Sequence, residues 1–172
     1  MMIEQFLNYL RFERNLSELT VFNYGEDLKS FEAYFRNVDN QLSWESVDSD
    51  VIRNWMESMM DKGNSATSIN RRLSALRSFY RFALIRKFIE LDPAHAVKGP
   101  KKSKPLPQFL RDNEMDELID GDVVCGDSFK DVRARTILTL FYESGMRLSE
   151  LVGLDDTDVD FLNRQLKVTG KR

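Results

Sequence analysis

The sequence predicts a mainly helical chain, a four-helix unit followed by the start of a mixed α/β unit. Three observations carry that prediction. Apolar residues in the first ninety positions recur at steps of three and four, the repeat of one helical face. Pro93, Gly99, Pro100, Pro105 and Pro107 then gather in a stretch through which no helix can run. Near the C-terminus, Val159 and Phe161 alternate with Asp158 and Asp160, and Leu166 and Val168 with Lys167 and Thr169, the mark of a hairpin turning at Asn163 and Arg164.

Phe6, Leu7 and Leu10 mark a short first helix. Ser17 is placed to cap a second, whose stripe is Val21, Tyr24, Leu28, Phe31 and Phe35. Residues 37–46 are polar and turn-like, with Leu42 and Trp44 expected to fold back onto the core. Asp48 or Ser49 opens a third helix through Val51, Ile52, Trp55, Met56 and Met59, and Gly63 suits its left-handed end. Ser65 caps a fourth, with Ile69, Leu73, Leu76, Tyr80 and Ala83 facing inward. After the proline-rich stretch come an acidic-capped helix at 112–119, a polar loop at 120–127, a helix at 133–141 interrupted by Gly145, and a short turn of helix at 148–154. The resulting boundaries are 1–89 for the bundle, 90–107 for a basic extended linker and 108–172 for the second unit. Two short strands without a third make a poor domain end, so the second unit is expected to be the N-terminal part of a longer domain.

The chain of 172 residues is 42% hydrophobic and 31% charged, a globular balance. Cys125 is the single cysteine, which excludes an intrachain disulfide. No run approaches the roughly 18 apolar residues of a membrane helix, and Met1 to Arg14 lacks a signal-peptide layout. The expected location is the cytoplasm. Net charge is −3, but residues 62–104 hold 11 Lys/Arg against 2 Asp/Glu between two acidic flanks. A basic centre of this kind makes a local positive surface that the total hides. The plain alternative is a solvated charged face.

That basic centre has structure. Asn70, Ser74, Arg77 and Arg81 recur at helical spacing beside the apolar stripe of the fourth helix, flanked by Arg71 and Arg72. One face of the helix is thus apolar, the other cationic and rich in donors. Lys98, Lys101, Lys102 and Lys104 continue the charge into the linker.

The segment Phe-Tyr-Glu-Ser-Gly-Met-Arg-Leu-Ser-Glu-Leu-Val-Gly-Leu, residues 141–154, resembles the first catalytic motif of tyrosine recombinases, with the nearest likeness to bacterial Xer recombinases and related integrases of mobile elements. Leu166 to Lys171 resembles the strand-turn segment that holds the family's catalytic lysine. Residues 17–35 and 70–80 resemble helices of its N-terminal DNA-binding domain; Asp92-Pro93-Ala94 and Pro105-Leu106-Pro107 resemble its linker. Arg172 departs from the pattern, since many relatives have glycine there, which changes the tightness of the turn.

The resemblance implies a SAM-like, four-helix core-binding domain followed by the start of a mixed α/β DNA breaking–rejoining catalytic domain. It implies a clamp on double-stranded DNA and a homo- or hetero-tetramer on two DNA sites. Strand exchange passes through a 3′-phosphotyrosyl intermediate, with no metal and no cofactor. For the Xer-like group it implies chromosome dimer resolution, often with a DNA translocase at division. Arg147 takes the phosphate clamp, because a guanidinium stays protonated and donates twice to phosphate. Lys171 takes the general acid that protonates the departing 5′ oxygen. Glu150 either orients Arg147 or balances local charge. Expected DNA contacts are Arg71, Arg72, Arg77 and Arg81, with Asn70 and Ser74 beside them, Thr20, Asn23 and Lys29 from the second helix, and the four linker lysines. Most of these bind phosphate, which positions without choosing sequence.

The family's second arginine, its histidine-type positions and its tyrosine nucleophile find no place in these residues, and the 172-residue chain is expected to bind DNA without cleaving it. Tyr142 reads as a helix packing residue and His95 as a linker histidine without a paired metal ligand. Three alternatives stay open: a phage or transposon integrase, a non-catalytic DNA-binding module, and a helical domain whose basic face meets an acidic protein.

Overall fold

The computed structural model describes residues 2–103, 106, 109–120, 126 and 128–170. The chain divides into two compact units, Met1–Pro105 and Leu106–Arg172.

The first unit is a helical bundle. Helix α1 (Met2–Asn8) runs into a π-helical turn, Tyr9–Glu13, and is followed by α2 (Glu18–Val38), α3 (Ser49–Asp61) and α4 (Ala66–Ile85). Each long helix starts where a side chain satisfies an orphan backbone donor. Ser17 Oγ accepts from the Thr20 amide at 3.4 Å, Asp48 Oδ1 from Asp50 and Val51 at 2.9 Å, and Ser65 Oγ from Ser68 at 3.2 Å. Gly63 takes a φ of 77° after α3, a conformation only glycine adopts without strain.

The core is aromatic. Phe6, Phe31, Phe35, Phe79 and Tyr80 are wholly buried. Trp44, from the turn before α3, packs on Phe79 at 4.5 Å and on Phe35 at 5.3 Å. Phe31 meets Trp55 at 4.9 Å. Phe6 meets Phe79 at 5.5 Å, so ring contacts join α1, α2, α3 and α4 and the bundle closes around one interior. The inward residues expected on α4 (Ile69, Leu73, Leu76, Tyr80 and Ala83) are all buried.

After α4 the chain does not leave the bundle. Ile89, Ala94 and Val97 are buried in the same core. Asp92 Oδ1 accepts the amides of Ala94 and His95 at 2.9 and 3.1 Å, which folds residues 92–95 into a turn. Ser49 Oγ donates to the Pro93 carbonyl at 2.8 Å. Asn70 Nδ2 donates to the Pro100 carbonyl at 2.9 Å. Residues 92–100 therefore form a strap seated on α3 and α4.

The second unit contains α5 (Asp112–Asp120), α6 (Phe129–Ser144), α7 (Leu148–Val152), a 3-10 turn at Asp156–Asp158 and the strands β1 (Val159–Asp160) and β2 (Gln165–Leu166). The strands pair antiparallel, Val159 opposite Leu166 and Asp160 opposite Gln165. Helix α6 begins four residues before the expected start, because Ser128 Oγ accepts the Asp131 amide at 3.3 Å and caps it. Gly145 ends it at φ 62°. No described residue of this unit is buried; Leu148, Val152, Phe161 and Leu162 are among its exposed apolar side chains. No helix among the described residues is long and apolar enough to cross a membrane.

Candidate nucleic-acid interface

The cationic residues expected to contact DNA lie on α2, on α4 and in residues 98–102, but they are not equivalent. Arg71 is bound bidentately to Asp27 of α2, with Nη2 on Oδ1 at 2.8 Å and Nη1 on Oδ2. Asp27 is the one buried charged residue among those described, 4% exposed. Arg72 Nε lies 3.7 Å from the same carboxylate, and its Nη1 meets Met59 Sδ at 2.8 Å. The trio therefore carries one net positive charge, and the Arg71 side chain is still 46% exposed.

Arg77 turns to the strap. Its Nε donates to the Ala94 carbonyl at 3.4 Å and Nη2 to the Val97 carbonyl at 2.5 Å. Asn70 bridges the Ala66 and Pro100 carbonyls at 2.7 and 2.9 Å. Ser74 Oγ donates to the Asn70 carbonyl at 2.8 Å. Thr20 Oγ1 lies 2.9 Å from Ser17 Oγ within the cap of α2. Lys29 pairs with Glu26 at 2.9 Å. Asn23 is half-buried; Arg81, Lys98, Lys101 and Lys102 are exposed. Lys104 lies outside the described residues.

Arg81 opens onto a 540 Å³ groove whose lining includes Arg14, Tyr24, Arg77 and Ser78. Arg14 was not singled out from the sequence, since a lone arginine between Glu13 and Asn15 carries no periodic signal. Asp27 was missed as well, although its position between Tyr24 and Leu28 puts a carboxylate on an apolar stripe. The sign of the strap was Ala94 and Val97, apolar residues inside an otherwise polar stretch.

In the second unit, Arg147 occupies the N-cap position of α7, directly after the Gly145 turn. Its backbone N–H donates to Glu150 Oε2 at 2.8 Å and its Nη1 to Oε1 at 2.6 Å. The same carboxylate thus caps the helix and steers the guanidinium. These bonds hold the Glu150 carboxyl below its ordinary range, the backbone bond contributing most. The Arg147 side chain is 70% exposed, so its remaining donors face solvent. An arginine oriented in this way and still accessible can donate to a phosphate. Tyr142 is half-exposed on α6 and His95 is exposed on the strap. Lys171 lies outside the described residues.

Comparison with known proteins places this geometry. Residues 3–87 match the phage integrase N-terminal SAM-like domain, and residues 108–172 match the phage integrase family. The chain is 34% identical over 171 residues to the tyrosine recombinase XerD of Staphylococcus epidermidis, covering 98% of this chain and 56% of the relative. It is 37% identical over 166 residues to the tyrosine recombinase XerC of Natranaerobius thermophilus, covering 96% and 54%. The chain spans about half the length of the curated relatives it matches. Among solved structures, the Tn1549 transposon integrase in complex with circular intermediate DNA aligns with a TM-score of 0.66 at 22% identity, over 98% of this chain and 53% of that one. That likeness is one of fold.

Proposed function

The chain belongs to the phage-integrase family of tyrosine recombinases, and from that premise we propose that it serves site-specific DNA recombination of the Xer type. The bundle, with the strap of residues 92–100 seated on it, grips duplex DNA through the α2–α4 face and is followed by the catalytic unit, 108–172. Arg147 neutralises the scissile phosphate. A tyrosine oxygen attacks phosphorus, the deoxyribose 5′ oxygen leaves, and Lys171 gives it a proton; rejoining reverses these steps. Glu150 keeps Arg147 oriented while leaving its outer donors accessible.

The observation that carries this reading is the accessible guanidinium of Arg147 held by Glu150. The Glu150 bond engages Nη1 and orders the guanidinium before binding, while its other donors stay free for a phosphate. The partners proposed are double-stranded DNA, sister subunits in a tetramer on two sites, and a DNA translocase at division. The compartment is the cytoplasm, and the task is chromosome dimer resolution.

The test is twofold. The chain should bind duplex DNA with an affinity that falls steeply as salt rises. On a suicide substrate these 172 residues should form no covalent adduct, since the family's tyrosine nucleophile finds no place among them and the half-exposed Tyr142 of α6 is not assigned that role. Salt-independent binding would sink the phosphate reading, and a robust adduct would sink the placement of the nucleophile outside these residues. The second reading, a DNA-binding module without chemistry, draws on the basic face of α4. It predicts that no form of the protein cleaves DNA and that Arg147→Ala changes duplex affinity at most, whereas the recombinase reading predicts that a form carrying the tyrosine nucleophile cleaves strands and loses about a hundredfold or more of that activity on Arg147→Ala.

A further inference from the structure

The bundle unit contains nine arginines, at 11, 14, 36, 53, 71, 72, 77, 81 and 86. Seven have their charge or their donors occupied within the protein. Arg11 pairs with Glu18, Arg36 with Glu32, Arg53 with Asp50 and Arg86 with Glu13. Arg71 and Arg72 share Asp27, and Arg77 serves the strap carbonyls. Arg14 and Arg81 alone have no side-chain partner among the described residues. Both line the same groove.

Arg14 is also fixed at its base. Its amide donates to the Tyr9 carbonyl at 3.0 Å, and the Leu16 amide donates to the Leu10 carbonyl at 3.0 Å. Asn15 between them takes a φ of 49°, a left-handed turn that asparagine tolerates. The backbone on both sides of Arg14 is thus pinned to the π-helical turn. Arg81 rises from the regular helix α4 on the other wall. Among the described residues no carboxylate lines the groove, while Tyr24 and Ser78 add hydroxyl donors.

We infer that Arg14 and Arg81 form a two-arginine site for one phosphodiester of the duplex backbone, and that Arg71, Arg72 and Arg77 act mainly inside the protein. The inference rests on the DNA-binding reading above and refines which cations carry it. Cations without internal partners donate without first breaking a pair, and two guanidiniums around one phosphate release counterions on binding. Tyr24 and Ser78 supply the shorter-range donors.

The test is a titration of the whole chain with a duplex over a salt series, for the parent, Arg14→Gln, Arg81→Gln, the double variant and Arg53→Gln as an ion-paired control. Each single loss is expected to weaken binding about fivefold to tenfold, and the double loss to lower the log–log salt slope by about one, the share of a single phosphate. The double variant should fall short of the product of the two, since both serve one phosphate. Arg14→Lys should keep the slope, and Arg53→Gln should stay within about twofold of the parent. Parent-like affinity and slope for Arg14→Gln would overturn the two-arginine site and leave the DNA-binding reading intact. Absence of any duplex binding by the parent would remove both.

Discussion

Asp27 and Arg71 meet fork to fork between α2 and α4, each terminal nitrogen of the guanidinium on its own carboxylate oxygen. The carboxylate is buried and the guanidinium is half in water. A cation on the proposed DNA face is therefore also a tie between two helices of the bundle. Stability and binding read from this residue will be mixed, and the variants must be chosen to separate them.

Arg71→Gln leaves Asp27 buried with only Arg72 Nε at 3.7 Å for company. The expected cost is about 2 kcal/mol, below the range for a fully buried pair because the Arg71 side chain is 46% exposed. Asp27→Asn keeps an acceptor and removes the buried charge, so it should cost less. Urea denaturation of both variants checks the order; equal or reversed losses would contradict it.

Gly99→Ala should lift the strap. A Cβ at Gly99 would stand 2.1 Å from Asn70 Oδ1. The Asn70 amide is held by the Ala66 and Pro100 carbonyls, so it does not swing aside freely. Trypsin cleavage at Lys98, Lys101 and Lys102 is expected to accelerate several-fold, while the helical circular dichroism of the bundle stays unchanged. A cleavage rate matching the parent would show that the strap tolerates the methyl group.

The Glu150 carboxyl is held below its ordinary value of 4.5 by the Arg147 amide first and the Arg147 guanidinium next. A depressed folded value means that the contribution is complete above the unfolded value and is lost as the pH falls through the folded one. The Arg147 amide resonance should therefore move on acidification below about pH 4.5, tracking the release of the cap. Glu150→Gln should abolish that movement. A parent amide that stays still on acidification would refute the steering of Arg147 by Glu150.

Replacing Asp48 by Ala removes the acceptor for two amides at the start of α3. A loss of about 1 kcal/mol is expected, with a smaller one for Ser17→Ala, whose cap bond is longer at 3.4 Å. Chemical denaturation measures both.

The helices, their caps and the inward stripes of α2, α3 and α4 were legible because each is written in local spacing. The Arg147 turn was legible as a motif, with Gly145 at the required left-handed position. What could not be read was who holds whom. Nothing near Arg71 in the sequence points to Asp27, 44 positions away, and nothing in a proline-rich stretch shows that residues 92–100 lie on a core. Hence the sequence gives four equivalent arginines on α4, whereas the fold divides them into two tied to Asp27, one tied to the strap and Arg81 without a partner among the described residues.

The second unit has a thermodynamic character of its own. With its described apolar side chains at most half-buried, it has less apolar surface to expose on melting than the bundle, so its heat-capacity increment should be smaller and its transition broader. Leu148, Val152, Phe161 and Leu162 stay wet in the folded state, and such side chains attract any apolar neighbour in solution. For this half of the molecule, colloidal behaviour at working concentration, more than a melting temperature, sets how long a sample survives.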